Sequence, residues 1–175
     1  MRSTACRARP GIRGFSVLEL VVSVALISVF AGLLLERLLY YQEAAEKAVM
    51  ELEASKLKLA LQVHIGDLIA RNQTLDYAQI ARENPIGWLD QPPLGYRGEF
   101  DGDASTELPK GSWFFDRSKS EVVYLAKLDR NLQSGSGALP RLRWRIKVVR
   151  PEGMDAKNAS VMGMQLVSVE PYRWF

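Results

Sequence analysis

One carboxylate stands inside an otherwise apolar stretch near the start of this chain. From Phe15 to Leu35 the sequence runs for 21 residues, and Glu19 carries their only ionisable side chain. A helix of that length spans about 30 Å, the thickness of the hydrocarbon core of a bilayer. A carboxylate in such a segment costs about 3 kcal/mol on insertion scales, so Glu19 is predicted to be functional. The alternative is a side chain that reaches water at the cytoplasmic headgroups.

A short basic segment precedes the apolar stretch. Residues 1–14 contain four arginines and no acidic residue, and they end in Gly14. Because basic residues hold a flanking segment in the cytoplasm, the helix is predicted to direct the rest of the chain outward. The apolar stretch is longer than that of a secretory signal, and no small-residue cleavage site closes it. The best candidate for cleavage is the Gly14–Phe15 bond, which leaves the helix on the mature protein.

The run Gly-Phe-Ser-Val-Leu-Glu-Leu at positions 14–20, with the basic leader before it, resembles the class III signal of type IV pilins and type II secretion pseudopilins. The resemblance implies that a prepilin peptidase cleaves after Gly14 and methylates the new amino terminus of Phe15. Glu19 then matches the acidic signature at the fifth mature position. If subunits stack with an axial offset, its carboxylate can meet the Phe15 amine of a neighbour and set the register of assembly.

The resulting interpretation is a minor pilin or pseudopilin that assembles into a type IV pilus or a type II secretion pseudopilus. The implied partners are the prepilin peptidase, other pilin or pseudopilin subunits, an inner-membrane assembly platform and the lipid bilayer. The expected location is the bacterial inner membrane, single-pass, with the N-terminus cytoplasmic and the C-terminal domain periplasmic, and then the filament. Two alternatives stay open: a minor tip subunit that binds a surface, DNA or an exoprotein, and a bitopic membrane protein that never polymerises.

Composition bears on these readings. The net charge is +3, and the four leader arginines leave −1 for residues 15–175, so a basic balance gives no argument for nucleic-acid binding. The only cysteine is Cys6, in the leader, and the only histidine is His64. We therefore expect no disulfide in the mature chain, no Cys/His zinc site and no enzymatic activity. The missing disulfide, together with Glu36 where many major pilins have a proline, favours a minor subunit.

The predicted fold is α+β and pilin-like, a long N-terminal helix packed on a C-terminal antiparallel sheet. Two apolar stripes at three- and four-residue steps, with no proline between Phe15 and Pro85, predict one helix over about 16–71. One stripe contains Val49, Leu52, Leu59 and Val63, and the other contains Leu57, Leu61, Ile65 and Leu68. The predicted divisions are a leader (1–14), a transmembrane part (15–35), an amphipathic part (36–71), a short helix with a Pro/Gly-rich connection (72–111) and the sheet (112–175).

Local signals refine the second half of the chain. Thr74 is the predicted cap of a short helix over 75–83, and residues 94–100 are a possible strand within the connection. Four strands are predicted in the sheet, over 112–116, 121–127, 141–148 and 161–169, with polar loops at 117–120 and 150–160. The last four residues are read either as an interface or as a final strand.

Two further patterns suggest ligands. Asp101, Asp103, Ser105 and Glu107 place oxygen ligands at alternate positions of a loop, which suggests calcium binding by Asp101, Asp103 and Glu107, with a plain acidic turn as the alternative. No cofactor is otherwise expected. Basic residues alternate along the third sheet strand, at Arg141, Arg143, Arg145 and Lys147. A row of cations can follow a phosphate backbone, but a solvated strand face that discourages edge aggregation is the favoured reading.

Overall fold

A computed structural model describes residues 16–135, 140–149 and 163–175. The Gly14–Phe15 bond and the loop predicted over 150–160 lie outside the described residues. The chain divides into two compact units, one ending at Tyr41 and one covering Gln42–Phe175. The α+β class is confirmed: one long helix comes first, and a mixed β-sheet follows.

Helix α1 covers Val17–Ala70, 54 residues without a proline. The prediction of a single helix over about 16–71 is therefore confirmed. Within the second unit, α1 buries Met50, Ala54, Leu57 and Leu61, which recur at steps of three and four residues. These side chains belong to the same apolar core as residues of the sheet, so the helix packs against the sheet through this face.

The two apolar stripes of α1 have different surroundings. The stripe with Leu57 and Leu61 lies in the core, and Ile65 and Leu68 pack against it. The other stripe stays exposed, with 56% of the surface of Val49 and 63% of that of Val63 accessible. The helix thus presents one apolar face to the sheet and keeps a second one uncovered by the rest of the second unit.

In the described part of the chain seven strands follow α1, and five of them form the main sheet in the order β1-β2-β3-β5-β6. The strands are β1 (Tyr96–Phe100), β2 (Trp113–Asp116), β3 (Glu121–Leu125), β4 (Leu132–Ser134), β5 (Arg141–Val149), β6 (Gly163–Ser168) and β7 (Tyr172–Trp174). The last four residues therefore include a final strand, and β7 pairs with β4 in a separate two-stranded sheet. Sequence reasoning did not identify β4.

The prediction of a wholly antiparallel sheet is wrong at one edge. Strands β2, β3, β5 and β6 pair antiparallel in turn, but β1 pairs with β2 in the parallel direction. Parallel neighbours need a crossover connection of a dozen or so residues, and residues 101–112 supply it. This connection brings the chain back to the starting end of β1, where the Trp113 amide donates to the carbonyl of Gly95 at 3.1 Å.

The crossover also covers the outer face of the sheet. Phe114, Val123 and Leu125 point away from α1 and form a second small core with Ala104 of the crossover. Strands β2 and β3 are consequently buried on both faces, at every residue. This two-sided burial explains why Trp113-Phe114-Phe115 is a continuous apolar run and does not alternate with polar residues.

The short helix after α1 differs from its prediction. Helix α2 covers only Tyr77–Ile80, and its cap is Asp76, not Thr74. The Asp76 carboxylate accepts from the amides of Ala78 and Gln79 at 3.0 and 3.1 Å, which satisfies two donors that the helix cannot pair. A 3₁₀ turn follows at Pro85–Trp88, with Asn84 as its cap.

Candidate functional site

The described part of the first unit is the exposed apolar part of α1. Among the described residues, one helix is long and apolar enough to cross a membrane, and none of its most apolar 18-residue window is buried. The large apolar side chains from Val17 to Tyr41 are between 38% and 79% exposed. An exposed apolar surface of this extent is typical of one that a bilayer or other helices cover.

Glu19 is exposed on this helix, near its first turn. A carboxylate close to a helix N-terminus is favoured by the helix dipole, which offsets part of the cost of its apolar neighbourhood. Ser23 donates its hydroxyl proton to the Glu19 carbonyl at 2.7 Å, and Ser28 does the same to Val24 at 2.8 Å. Both serines thereby satisfy their hydroxyls within the helix. The Glu19 carboxylate is left at the surface, where a partner outside this chain can reach it.

At the other end of the apolar run, polar and aromatic residues follow in quick succession. Glu36 and Arg37 are the first charged residues after Glu19, and Tyr40 and Tyr41 follow them after two leucines. The two tyrosine rings meet edge to face, with centroids 5.7 Å apart. Aromatic rings with a polar end concentrate at the headgroup level of bilayers, so this sequence is typical of the end of a membrane span.

In the second unit, α1 carries a buried carboxylate that sequence reasoning missed. Glu43 is 3% exposed. It accepts three hydrogen bonds, from the Asn131 amide and side-chain nitrogen at 2.8 Å each and from the Trp174 indole at 3.0 Å. A buried carboxylate is tolerated when such donors replace water. Glu43 thereby ties the β3–β4 connection and the last strand to the helix.

Glu46, one turn further along, holds the start of the same connection. Its carboxylate accepts from the Tyr124 hydroxyl at 2.8 Å and from the amides of Lys127 and Leu128 at 2.5 and 2.9 Å. Burial, with the negative Glu46 as a further cause, raises the pKa of Tyr124. Together, Glu43 and Glu46 form what we call the carboxylate clamp, which receives six donors.

The clamp is extended by Lys47. Its ammonium donates to the Trp174 carbonyl at 2.9 Å and lies 5.8 Å from the centre of the Phe175 ring. The Phe175 amide in turn donates to the Asn131 carbonyl at 3.4 Å. The end of the chain is thus held by the helix and by the β3–β4 connection. A signal for the clamp is hard to find in the sequence, because Glu43, Glu46 and Lys47 read as an ordinary polar helix face.

A groove lies beside the clamp, within the second unit. It encloses about 560 Å³ between α1, the β3–β4 connection and the turn before β1. Val49, Met50, Trp113 and Tyr124 give it a mostly apolar lining. Leu94 stands at its edge with 93% of its surface exposed. This combination is typical of a surface that another molecule covers.

The structure gives two of the suggested calcium ligands, Asp101 and Asp103, other partners. Asp103 pairs with the Arg141 guanidinium and with the Ser105 hydroxyl, while Asp101 lies 3.4 Å from the Arg117 guanidinium. Burial alone would raise the pKa of Asp103, but the hydrogen bonds from Ser105 and the charge of Arg141 outweigh it and lower that pKa. Across residues 16–135, 140–149 and 163–175, no three His, Cys, Asp or Glu side chains stand together as a metal site.

The basic row on β5 lies in a network of acidic residues. Arg143 pairs with Glu121 at 3.3 Å and with Glu170, and Arg145 pairs with Glu121 at 3.2 Å. The expectation of a solvated face therefore holds only in part, since the Arg143 side chain is 16% exposed. These pairs neutralise much of the charge that a phosphate backbone would need.

The His64 side chain of α1 packs against an aromatic ring. Its ring stacks on Trp88 with centroids 4.4 Å apart and planes inclined by 10°. Its Nε2 atom lies 3.9 Å from a carboxylate oxygen of Glu83. The contacts join α1 to the 3₁₀ turn and to the residues just after α2.

Comparison of the chain with protein-family models, with curated proteins and with solved structures finds no match. Function must therefore be argued from the residues and the geometry alone.

Proposed function

We propose that this chain is a structural subunit, a minor pilin or pseudopilin, of a filament of the type IV pilus or type II secretion class. In this proposal a prepilin peptidase cleaves the Gly14–Phe15 bond and methylates the amine of Phe15. The mature subunit waits in the bacterial inner membrane with its C-terminal domain on the periplasmic side. It then joins the filament through its N-terminal helix, with the help of an inner-membrane assembly platform.

The observation that carries the proposal is the pairing of an uncovered apolar helix with one carboxylate near its start. Among the described residues, the large apolar side chains of the helix from Val17 to Tyr41 are exposed, while the second unit has an apolar core of its own. A simple anchor needs the apolar surface but has no use for Glu19. A carboxylate there is retained at a cost of about 3 kcal/mol, which requires a compensating partner.

The cationic amine of Phe15 on a neighbouring subunit is the partner that this chemistry favours. Phe15 and Glu19 are four residues apart, about 6 Å along a helix. A small axial offset between neighbouring helices therefore brings the amine of one beside the carboxylate of the next. Loss of one partner of a buried ion pair costs about 3–5 kcal/mol, so the pair selects one register of assembly over the others.

The proposal is tested in cells that carry the assembly machinery belonging to this chain. Sheared filaments are collected, and the amount of the subunit in them is compared between wild type, Glu19→Ala and the control Glu36→Ala. We expect the Glu19 variant to reach the membrane but to be depleted at least tenfold from filaments, and Glu36→Ala to assemble normally. Equal incorporation of all three proteins would contradict the proposed role of Glu19.

The groove beside Leu94 supports a second candidate, a minor tip subunit that also binds an exoprotein or a surface. At a filament tip no further subunit covers the outermost domain, so an apolar groove there stays open to a ligand. A Leu94→Ser variant separates the two functions. It should leave filament assembly intact and reduce binding of the ligand, whereas a purely structural subunit would show no change in either.

A further inference from the structure

Basic side chains gather around one end of the second unit. The Lys127 amide donates to Glu46 and the Asn131 amide donates to Glu43, so both residues lie beside α1. Arg130 directly precedes Asn131. Arg173 lies in β7 opposite Gln133, next to Trp174 and its bond to Lys47. We call Lys127, Arg130 and Arg173, with Lys47 and the ring of Phe175, the cationic rim.

The charges of the rim are only partly balanced. Lys127, Arg130 and Arg173 are exposed, and in the parts of the chain that the structure describes none of the three pairs with an Asp or Glu side chain; Arg173 donates to the main-chain oxygen of Phe175 at 3.3 Å. Asp129 pairs with Lys110 at 2.9 Å, and Glu51, 3.8 Å from Lys47, offsets that one cation. The clamp carboxylates keep their negative charges because their six donors are neutral groups, but Glu43 is buried and Glu46 is partly buried against its donors. The exposed charges of the rim are therefore those of Lys127, Arg130 and Arg173, and they are positive.

The rim is tied closely to the end of the apolar helix surface. Lys47 follows Tyr41 by six residues, which is at most about 20 Å of fully extended chain. This limit holds for every orientation of the second unit. When the apolar run crosses a bilayer, Lys47 therefore stays within about 20 Å of the end of that run.

We propose that the cationic rim binds the anionic headgroups of the bilayer in which α1 is anchored. This inference rests on the membrane-anchored subunit proposed above. Exposed lysine and arginine side chains are attracted to anionic lipid surfaces, and aromatic rings such as that of Phe175 favour the headgroup level. The contact holds the second unit against the membrane before assembly, and withdrawal from the bilayer breaks it.

The test uses the full chain in nanodiscs, with Cys6→Ser and an environment-sensitive fluorophore on Gln133→Cys. Gln133 is exposed and pairs with Arg173, so the dye reports on the rim without replacing a rim residue. Discs of phosphatidylcholine alone are compared with discs that contain phosphatidylglycerol. The rim variant is Arg130→Gln with Arg173→Gln. The matched control is Arg82→Gln with Lys119→Gln, which removes the same charge from two other exposed positions.

We expect a blue-shifted dye spectrum only in the anionic discs, and its loss in 1 M salt, where the Debye length is about 3 Å. The rim variant should weaken the contact about 30-fold, from two headgroup interactions, and the control should not. Spectra that are identical in both lipids, or an equal loss in the control, would refute headgroup binding by the rim but not the membrane anchor formed by α1. A chain that does not copurify with the discs would overturn the anchor and the rim together.

Discussion

Removal of the Glu43 carboxylate should destabilise the second unit far more than removal of an exposed carboxylate on the same helix. Glu43→Ala leaves three donors without their acceptor, at Asn131 and Trp174. Hydrogen bonds to a charged acceptor contribute about 1.5–3 kcal/mol each, and water that enters the gap recovers part of this. We expect a loss of about 3 kcal/mol in the free energy of unfolding.

The measurement is urea unfolding of the full chain in nanodiscs, followed by tryptophan fluorescence. With a urea dependence of about 2 kcal/mol per molar, the midpoint should fall by about 1.5 M. The control is Glu51→Ala, whose side chain is 51% exposed and pairs with Lys47 at 3.8 Å. An exposed pair contributes about 0.5 kcal/mol or less, so its midpoint should fall by about 0.3 M at most. Equal shifts for the two variants would refute the clamp as a stabilising feature.

Three further outcomes are expected. Leu57→Ala should cost about 2–5 kcal/mol because Leu57 is fully buried, whereas Leu59→Ala, 61% exposed, should cost about 0.5 kcal/mol or less by the same unfolding assay. Because the folded pKa of Tyr124 is raised above its ordinary value of 10.0, its contribution to stability is complete below pH 10 and falls as the pH rises further, so the unfolding midpoint should drop between pH 10 and 12. In Asp116→Ala, loss of the acceptor for the amides of Ser118 and Lys119 should lower the free energy of unfolding by about 1–2 kcal/mol. A urea midpoint equal to or above that of wild type would contradict this.

The elements with strong local patterns could be predicted from the sequence. Helix α1 has an unbroken apolar periodicity, and the hairpin of β2 and β3 has two apolar runs around a polar loop. In that loop the Asp116 carboxylate accepts from the Ser118 amide at 2.9 Å, so its turn chemistry is local as well. For such elements the residues that decide the structure are neighbours in sequence.

The parallel edge of the sheet could not be predicted in this way. A run of strands separated by turns suggests a meander, in which each strand pairs antiparallel with the next. Whether the connection over 101–112 turns back at once or crosses the sheet depends on Ala104 packing with Phe114. That contact is tertiary, and no periodic pattern in the connection predicts it.

The carboxylate clamp was missed for a related reason. In a helical pattern Glu43 and Glu46 stand among exposed charges, and their donors are 78 to 131 positions away. Half of these six donors are backbone amides, which carry no signal in the residue types. The sequence carries a stronger signal for the basic row on β5. Antiparallel pairing of β3 with β5 places Glu121 opposite Arg145, and this pairing could have suggested their ion pair.

The central claim is that this chain is processed as a filament subunit, and its most direct test is the mass of the mature protein. The full chain is co-expressed with a prepilin peptidase, purified from membranes, and analysed by intact mass and N-terminal sequencing. The account predicts loss of residues 1–14 and a methylated amine on Phe15. A chain that keeps Met1, under conditions in which a known pilin is processed, would contradict it and leave a simple membrane anchor as the better explanation.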